Sequence, residues 1–232
     1  MVNAFLFYSL YPTLVVILCV LLLHKAYRSG AGLPYLKLFA NLALINIFQA
    51  ISYATLGFSL TFSQYIADLY LISAYFLFIH FMQLALYLSE GDREPWPKYL
   101  YIAPIILTLL HFSGLMVNSY RIENGVLFHN DGLFAWVFDV FVILSSVITI
   151  ITFTHNFIYN KKNELIASKN IIALISFIPF VLMSTLLIVL SNTQHVIPVV
   201  IIIPSITVYI VAIFYYISTY KKTLKDIFPA VF

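Results

Sequence analysis

Apolar residues run along this chain in stretches of about twenty, and most polar and charged residues fall in the joints between them. Seven stretches reach the roughly 20 residues that a membrane-crossing helix needs: 4–23, 38–58, 65–88, 99–116, 133–159, 171–190 and 196–220. No strand-type alternation stands out, and the runs exceed the roughly 10 residues of a membrane-barrel strand. The pattern predicts an all-α integral membrane protein. It is a bundle of seven transmembrane helices within residues 1–220, followed by a short tail, 221–232. The first stretch reads as a real helix and not a cleavable leader. No basic segment precedes it, and Lys25 and Arg28 follow it where a leader has small residues.

Composition excludes the soluble classes. Of 232 residues 62% are hydrophobic and only 9% charged, against about 25% charged in soluble domains. Cys19 is the single cysteine, so no internal disulfide forms. A net charge of +3, with its cations dispersed between apolar runs, offers no surface for nucleic acid. The same cations orient the chain. Lys25, Arg28, Lys37, Arg93, Lys98, Lys161, Lys162, Lys169, Lys221, Lys222 and Lys225 fall on one side of the predicted bundle, and only Arg121 on the other. By the positive-inside rule the N-terminus is outside and the tail cytoplasmic. The longest outer loop, 117–132, carries Arg121, Glu123, His129 and Asp131. No joint is long enough for a catalytic domain, so the chemistry falls to the bundle or a partner.

Ionisable residues inside a bilayer are costly and mark function by default. Helix three carries Asp68, helix four His111 and helix five Asp139. At 1.5 Å per residue all three lie roughly 5–9 Å below the outer edge. One reading is a polar pocket open to the outside, in which Asp68, His111 and Asp139, with Tyr75 and Trp136, hold a small ligand. The other is that each acid or imidazole pairs with a nearby Tyr, Ser or carbonyl and only fixes packing. With His195 the three include zinc-ligand types, but no local spacing of the H-E-x-x-H kind occurs, and no metal or cofactor is expected.

A second polar set lies deeper: Asn41, Asn46 and Gln49 on helix two, His80 and Gln83 on helix three. Interhelical hydrogen bonds of about 0.6 kcal/mol each account for such residues. The alternative is a relay whose bonds exchange as the bundle shifts, with Asn46, Gln49, His80, Gln83 and the prolines of helix seven, Pro198 and Pro204, as its parts. Pro12, Pro104 and Pro179 fall in other spans.

Familiar seven-helix classes are excluded by what is missing. Residues 196–220 contain no lysine for a retinal Schiff base. Helix three ends Ser89-Glu90-Gly91-Asp92-Arg93 and not in D-R-Y, and no Pro-Gln dipeptide marks a sugar transporter. The end of the chain is more informative. Phe214-Tyr215-Tyr216 precedes Tyr220-Lys221-Lys222-Thr223-Leu224-Lys225-Asp226-Ile227-Phe228-Pro229-Ala230-Val231. Through Leu224, Asp226, Ile227 and Pro229 this stretch resembles the Y-R-L-x-D-I-x-P-V-A exit of the seven-helix N-terminal sensor region of bacterial histidine kinases. The segment Glu164-Leu165-Ile166-Ala167-Ser168-Lys169-Asn170 is similar to a loop of quorum-sensing kinases with many-helix sensors, some of which bind acyl-homoserine lactones. The resemblance implies a sensor that passes a signal through helix seven. Members of that family continue into a phosphoacceptor helix and an ATP-binding domain. This chain, which stops at Phe232, reads as a free-standing or truncated sensor.

The expectation is therefore a membrane receptor, not an enzyme. It takes a small ligand from outside or from the lipid and works on a cytoplasmic signalling protein or a second copy of itself. A small transporter or channel using Asp68, His111 and Asp139 is the alternative, and an intramembrane enzyme the third. Alkaline phosphatase fused near Asn124 should be active outside the cell, and inactive when fused after Phe232 or between Asn160 and Lys169. An external tail would overturn both the helix count and the orientation.

Overall fold

The structure, a computed structural model, describes residues 9–89, 98–123 and 126–190, together with residue 212. Six α-helices follow in chain order: α1 (Tyr11–Arg28), α2 (Leu33–Thr55), α3 (Leu60–Ser89), α4 (Ile102–Phe112), α5 (Ala135–Tyr159) and α6 (Glu164–Leu190). A 3₁₀ turn, Lys98–Tyr101, leads into α4. Among the described residues five helices are long and apolar enough to cross a membrane, and the apolar helix around α4 is shorter. The protein is thus a multi-pass membrane protein. The predicted seventh helix, with Pro198 and Pro204, and the tail lie outside the described residues, apart from residue 212, which is helical.

Inside and outside are reversed relative to a soluble bundle. On α5, Ser145, Ser146, Thr149 and Asn156 are buried, whereas Ile143, Leu144, Val147, Ile148 and Ile151 are exposed. On α2, Asn41, Asn46, Gln49 and Ser52 are buried while Leu44 and Ile51 face out. Lipid offers no hydrogen bonds, so polar side chains turn to the helix–helix seams and aliphatic ones meet the acyl chains. α3 is the centre, packing on α2, α4, α5 and α6, while α1 lies against α2. Its Phe78 and Phe81 meet Phe177 and Phe180 of α6, with ring centroids 4.9–5.1 Å apart for Phe81–Phe177, Phe81–Phe180 and Phe78–Phe180.

Three of the expected boundaries change for identifiable reasons. The fourth span, expected over 99–116, ends as a helix at Phe112. Gly114 takes φ +76°, its N–H bonds to His111 O (3.0 Å), and Leu115 N–H bonds to Leu110 O (3.1 Å). That is a Schellman stop, which needs the left-handed conformation glycine adopts cheaply. Gly30, at φ +68°, ends α1 in the same way, with Ala31 N–H on Ala26 O at 3.0 Å. α2 and α6 begin earlier than expected, at Leu33 and Glu164, because Lys37 in one, and Glu164, Lys169 and Asn170 in the other, interrupt the apolar run without breaking the helix. Pro12 and Pro104 fall in first turns, where no helix bond is lost, so only Pro179 lies inside a described helix.

The long loop expected over 117–132 is a second correction. Residues 117–131 form an antiparallel hairpin of β1 (Val117–Glu123) and β2 (Val126–Asp131), with Tyr120 opposite His129 and Arg121 opposite Phe128. Asn124-Gly125 occupies the two positions between the strands, the dipeptide most favoured in two-residue hairpin loops. The hairpin sits at one end of the bundle with the Ser52–Ser63 hydrogen bonds of α2 and α3. At the other end Asn156 Nδ2 donates to Ala85 O (3.1 Å) and Asn170 Oδ1 (3.3 Å), and Asn170 Nδ2 to Leu88 O (3.4 Å), tying α3, α5 and α6 together. Gly114→Ala leaves the Cβ in open space, so its cost is conformational, about 1–2 kcal/mol. Thermal unfolding in detergent should show that loss, with Gly114→Asn closer to the wild type.

Candidate functional site

Asp68 and Tyr75 are seven residues apart on α3, two turns along one face. His111, in the last turn of α4, fits between them. Its Nε2 is 2.8 Å from Asp68 Oδ1 and its Nδ1 2.9 Å from the Tyr75 hydroxyl. The Tyr120 hydroxyl, from β1, donates to the same Asp68 Oδ1. Asp68 Oδ2 makes no hydrogen bond among the described residues. His111 is buried, whereas the Asp68 side chain keeps a quarter of its surface exposed.

The surroundings hold these groups in place. Tyr75, Leu107 and Met116 form a small buried cluster, with the Phe138 ring of α5 tilted against Tyr75 at 5.0 Å between centroids. Met116 is the root of the hairpin, fixed by Gly132 N–H on Met116 O at 2.9 Å. Strand alternation then puts Tyr120 and its partner His129 on the face toward Asp68, while Arg121 lies over Phe128 on the other face.

Proton positions follow from the acceptors. An ionised Asp68 requires donors, so Tyr120 O–H and His111 Nε2–H both point to it. Neutral His111 then accepts from Tyr75 at Nδ1. If the imidazole is protonated, Nδ1–H donates and the Tyr75 hydroxyl turns to accept. Tyr75 thus satisfies His111 in both states. Outside the spans, burial, the hydrogen bond to Asp68 and then the charges of Asp68 and Tyr75 hold the Tyr120 phenol protonated well above its ordinary range. His129 Nε2 lies 3.6 Å from Asp131 Oδ1, with both side chains exposed.

Of the residues expected at this site, Asp68, His111 and Tyr75 come together, and Asp139 and Trp136 do not join them. Phe138 faces Tyr75, and a step of about 100° turns Asp139 off that face. The charge that reaches Asp139 is that of Asp131, at the end of β2. Trp136 is 59% exposed, as suits an aromatic at a membrane interface. Tyr120 was not foreseen, because a loop reading gives no facing to its residues. Among the described residues no three His, Cys, Asp or Glu side chains gather where a metal could bind, and His195 lies outside them.

The deeper polar set divides in two. His80 and Gln83 face Asn41 and Tyr101, neither of which is in the expected relay: Asn41 Nδ2 is 3.2 Å from His80 Nδ1, and Tyr101 O–H donates to Gln83 Oε1 at 3.1 Å. Asn46 Nδ2 instead donates to Leu42 O of its own helix (2.8 Å), and Gln49 Oε1 is buried without a partner. No hydrogen bond joins Asn46 or Gln49 to His80 or Gln83 among the described residues.

No family model matches the chain, and no curated protein or solved structure matches it.

The Tyr120 bond to a carboxylate is of a class worth about 1.5–3 kcal/mol. Tyr120→Phe should accordingly raise amide hydrogen exchange in the hairpin, 126–131, by tenfold or more, leaving α3 protected. Because the folded phenol titrates above its ordinary value of 10.0, its contribution is full below about pH 10 and declines above it. Hairpin exchange, corrected for intrinsic rate, should be flat from pH 6 to 9.

Proposed function

We propose that this protein is a membrane sensor for a small ligand that reaches the hairpin end of the bundle. One observation carries the reading. Hairpin, α3 and α4 meet at a single atom, Asp68 Oδ1, through Tyr120 and His111. A ligand that takes over either hydrogen bond changes the packing of three elements at once. Asp68 Oδ2 is the acceptor it meets first. Such a ligand shifts the bundle between two arrangements only by its different affinity for each.

The topology belongs to the same proposal: seven spans, with N-terminus and hairpin outside, in the bacterial inner membrane. Support comes from Lys25, Arg28, Lys37, Lys161, Lys162 and Lys169, which all lie toward the end opposite the hairpin, the cytoplasmic end under the positive-inside rule. Helix seven and the tail then carry the signal to a cytoplasmic protein or a second copy. In the tail sequence, Leu224, Ile227, Phe228 and Val231 have the spacing of one face of an amphipathic helix.

The Tyr75–His111–Asp68 chain also favours a second reading, a proton-coupled transporter, since each member passes a proton to the next without moving far. One cut separates the two. A thermal-shift screen of small molecules against wild type and Asp68→Asn identifies the ligand as one whose stabilisation the variant loses. Truncation after Tyr220 should then abolish the cell's transcriptional response to that ligand and leave binding intact. Full uptake by the truncated protein in liposomes would reject the sensor in favour of the transporter.

A further inference from the structure

The end opposite the hairpin holds a set of donors without an acceptor. Lys37 and Asn41 are four apart on α2, and His80 and Gln83 three apart on α3, so each pair shares a face. Both faces meet the ring of Tyr101, just before α4. Lys37 Nζ lies 5.7 Å from the ring centroid, and the His80 ring meets it edge-on at 6.1 Å. Tyr101 O–H donates to Gln83 Oε1, which leaves the Gln83 amide nitrogen pointing a donor elsewhere. Asn41 Nδ2 donates to His80 Nδ1, which puts the imidazole proton on Nε2.

Three groups therefore offer only hydrogens: the Lys37 ammonium, His80 Nε2–H and the Gln83 amide. His80 is 9% exposed and Gln83 5%. Among the described residues neither Nε2 has a hydrogen-bond partner, and no carboxylate lies within ion-pair distance of Lys37. Both Nε2 atoms keep a little accessible surface within nearly enclosed side chains, so an acceptor can reach them, and a cation is repelled by such a set. We propose that Lys37, His80 and Gln83, over the Tyr101 ring, form a binding site for a phosphate-type oxyanion. Lysine supplies the point charge that phosphate sites use. Lys25, Arg28, Lys161, Lys162 and Lys169, toward the same end, raise the local anion concentration. Lys37 stands one turn from the start of α2, near the depth of lipid phosphates. The anion is either a phospholipid headgroup or a soluble phosphate. This site is independent of the sensor reading.

The test uses the full chain and two probes. Native mass spectrometry after release from nanodiscs of mixed phosphatidylglycerol and phosphatidylcholine reads lipid retention. Thermal unfolding in neutral detergent, at constant ionic strength, reads inorganic phosphate. Phosphatidylglycerol retention alone identifies the lipid source, and phosphate stabilisation alone the soluble one; either supports the site. Lys37→Gln and His80→Phe should each weaken the effective probe about tenfold or more, Lys37→Arg should largely keep it, and Lys161→Gln, which removes one of several surrounding cations, should weaken it far less than Lys37→Gln. If Lys37→Gln does not fold, Gln83→Leu takes its place. Loss of both effects in the wild type overturns the proposal, as does a Lys161→Gln variant that weakens binding as much as Lys37→Gln.

Discussion

A carboxylate held beneath a membrane surface is stable only while it keeps its donors, and Asp68 keeps two of them on one oxygen. Much of the hairpin end depends on that constraint. His111 must reach Asp68 from the last turn of α4, so α4 has to stop where it does. The Gly114 turn stops it and sends the chain back over the bundle. Met116 then sinks beside Tyr75 and Leu107, and β1 leaves at an angle that brings Tyr120 to the same oxygen. Tyr75 completes the arrangement from the far side of the imidazole. Each step is local, and the outcome joins residues 68, 75, 111 and 120.

The two ends of the bundle use different chemistry for the same task. At the hairpin end an acid and an imidazole hold the helices. At the other end uncharged amides do so: Asn156 and Asn170 grip the last carbonyls of α3, where that helix runs out of its own N–H donors. The amide clamp ties three helices through side chains that carry no charge, whereas the hairpin end gathers α3, α4 and β1 on one carboxylate oxygen. A bundle clamped at several carbonyls at one end and at a single atom at the other has its adjustable half where the hairpin lies.

Much of this was legible in the sequence, for reasons tied to particular residues. Apolar runs located all six described helices because lipid imposes a length on them. Counting 1.5 Å per residue placed Asp68 and His111 at one depth, and they do meet. Depth carries no rotational information, however, and Asp139, at similar depth, points away because Phe138 holds the inward position. Asn124-Gly125 was a hairpin signal, overlooked because VNSYRIE and VLFHND alternate only weakly. Nothing in the spacing foretold that Tyr101 would sit between His80 and Lys37, because that depends on how a 3₁₀ turn enters α4.

The early stop of α4 has a consequence for the lipid around it. Its eleven α-helical residues and the four of the 3₁₀ turn before them extend about 24 Å, against a hydrocarbon layer of about 30 Å. The neighbouring helices α3 and α5, of 30 and 25 residues, are long enough to span it. Hydrophobic mismatch is therefore confined to one flank of the protein. There the bilayer must pinch to meet α4, drawing headgroups and water down toward Asp68 on that side only. The deformation is smallest in a thin membrane, so the fold partitions toward thin bilayers, and lipid chain length becomes a variable to which the Asp68–His111 pair is mechanically connected.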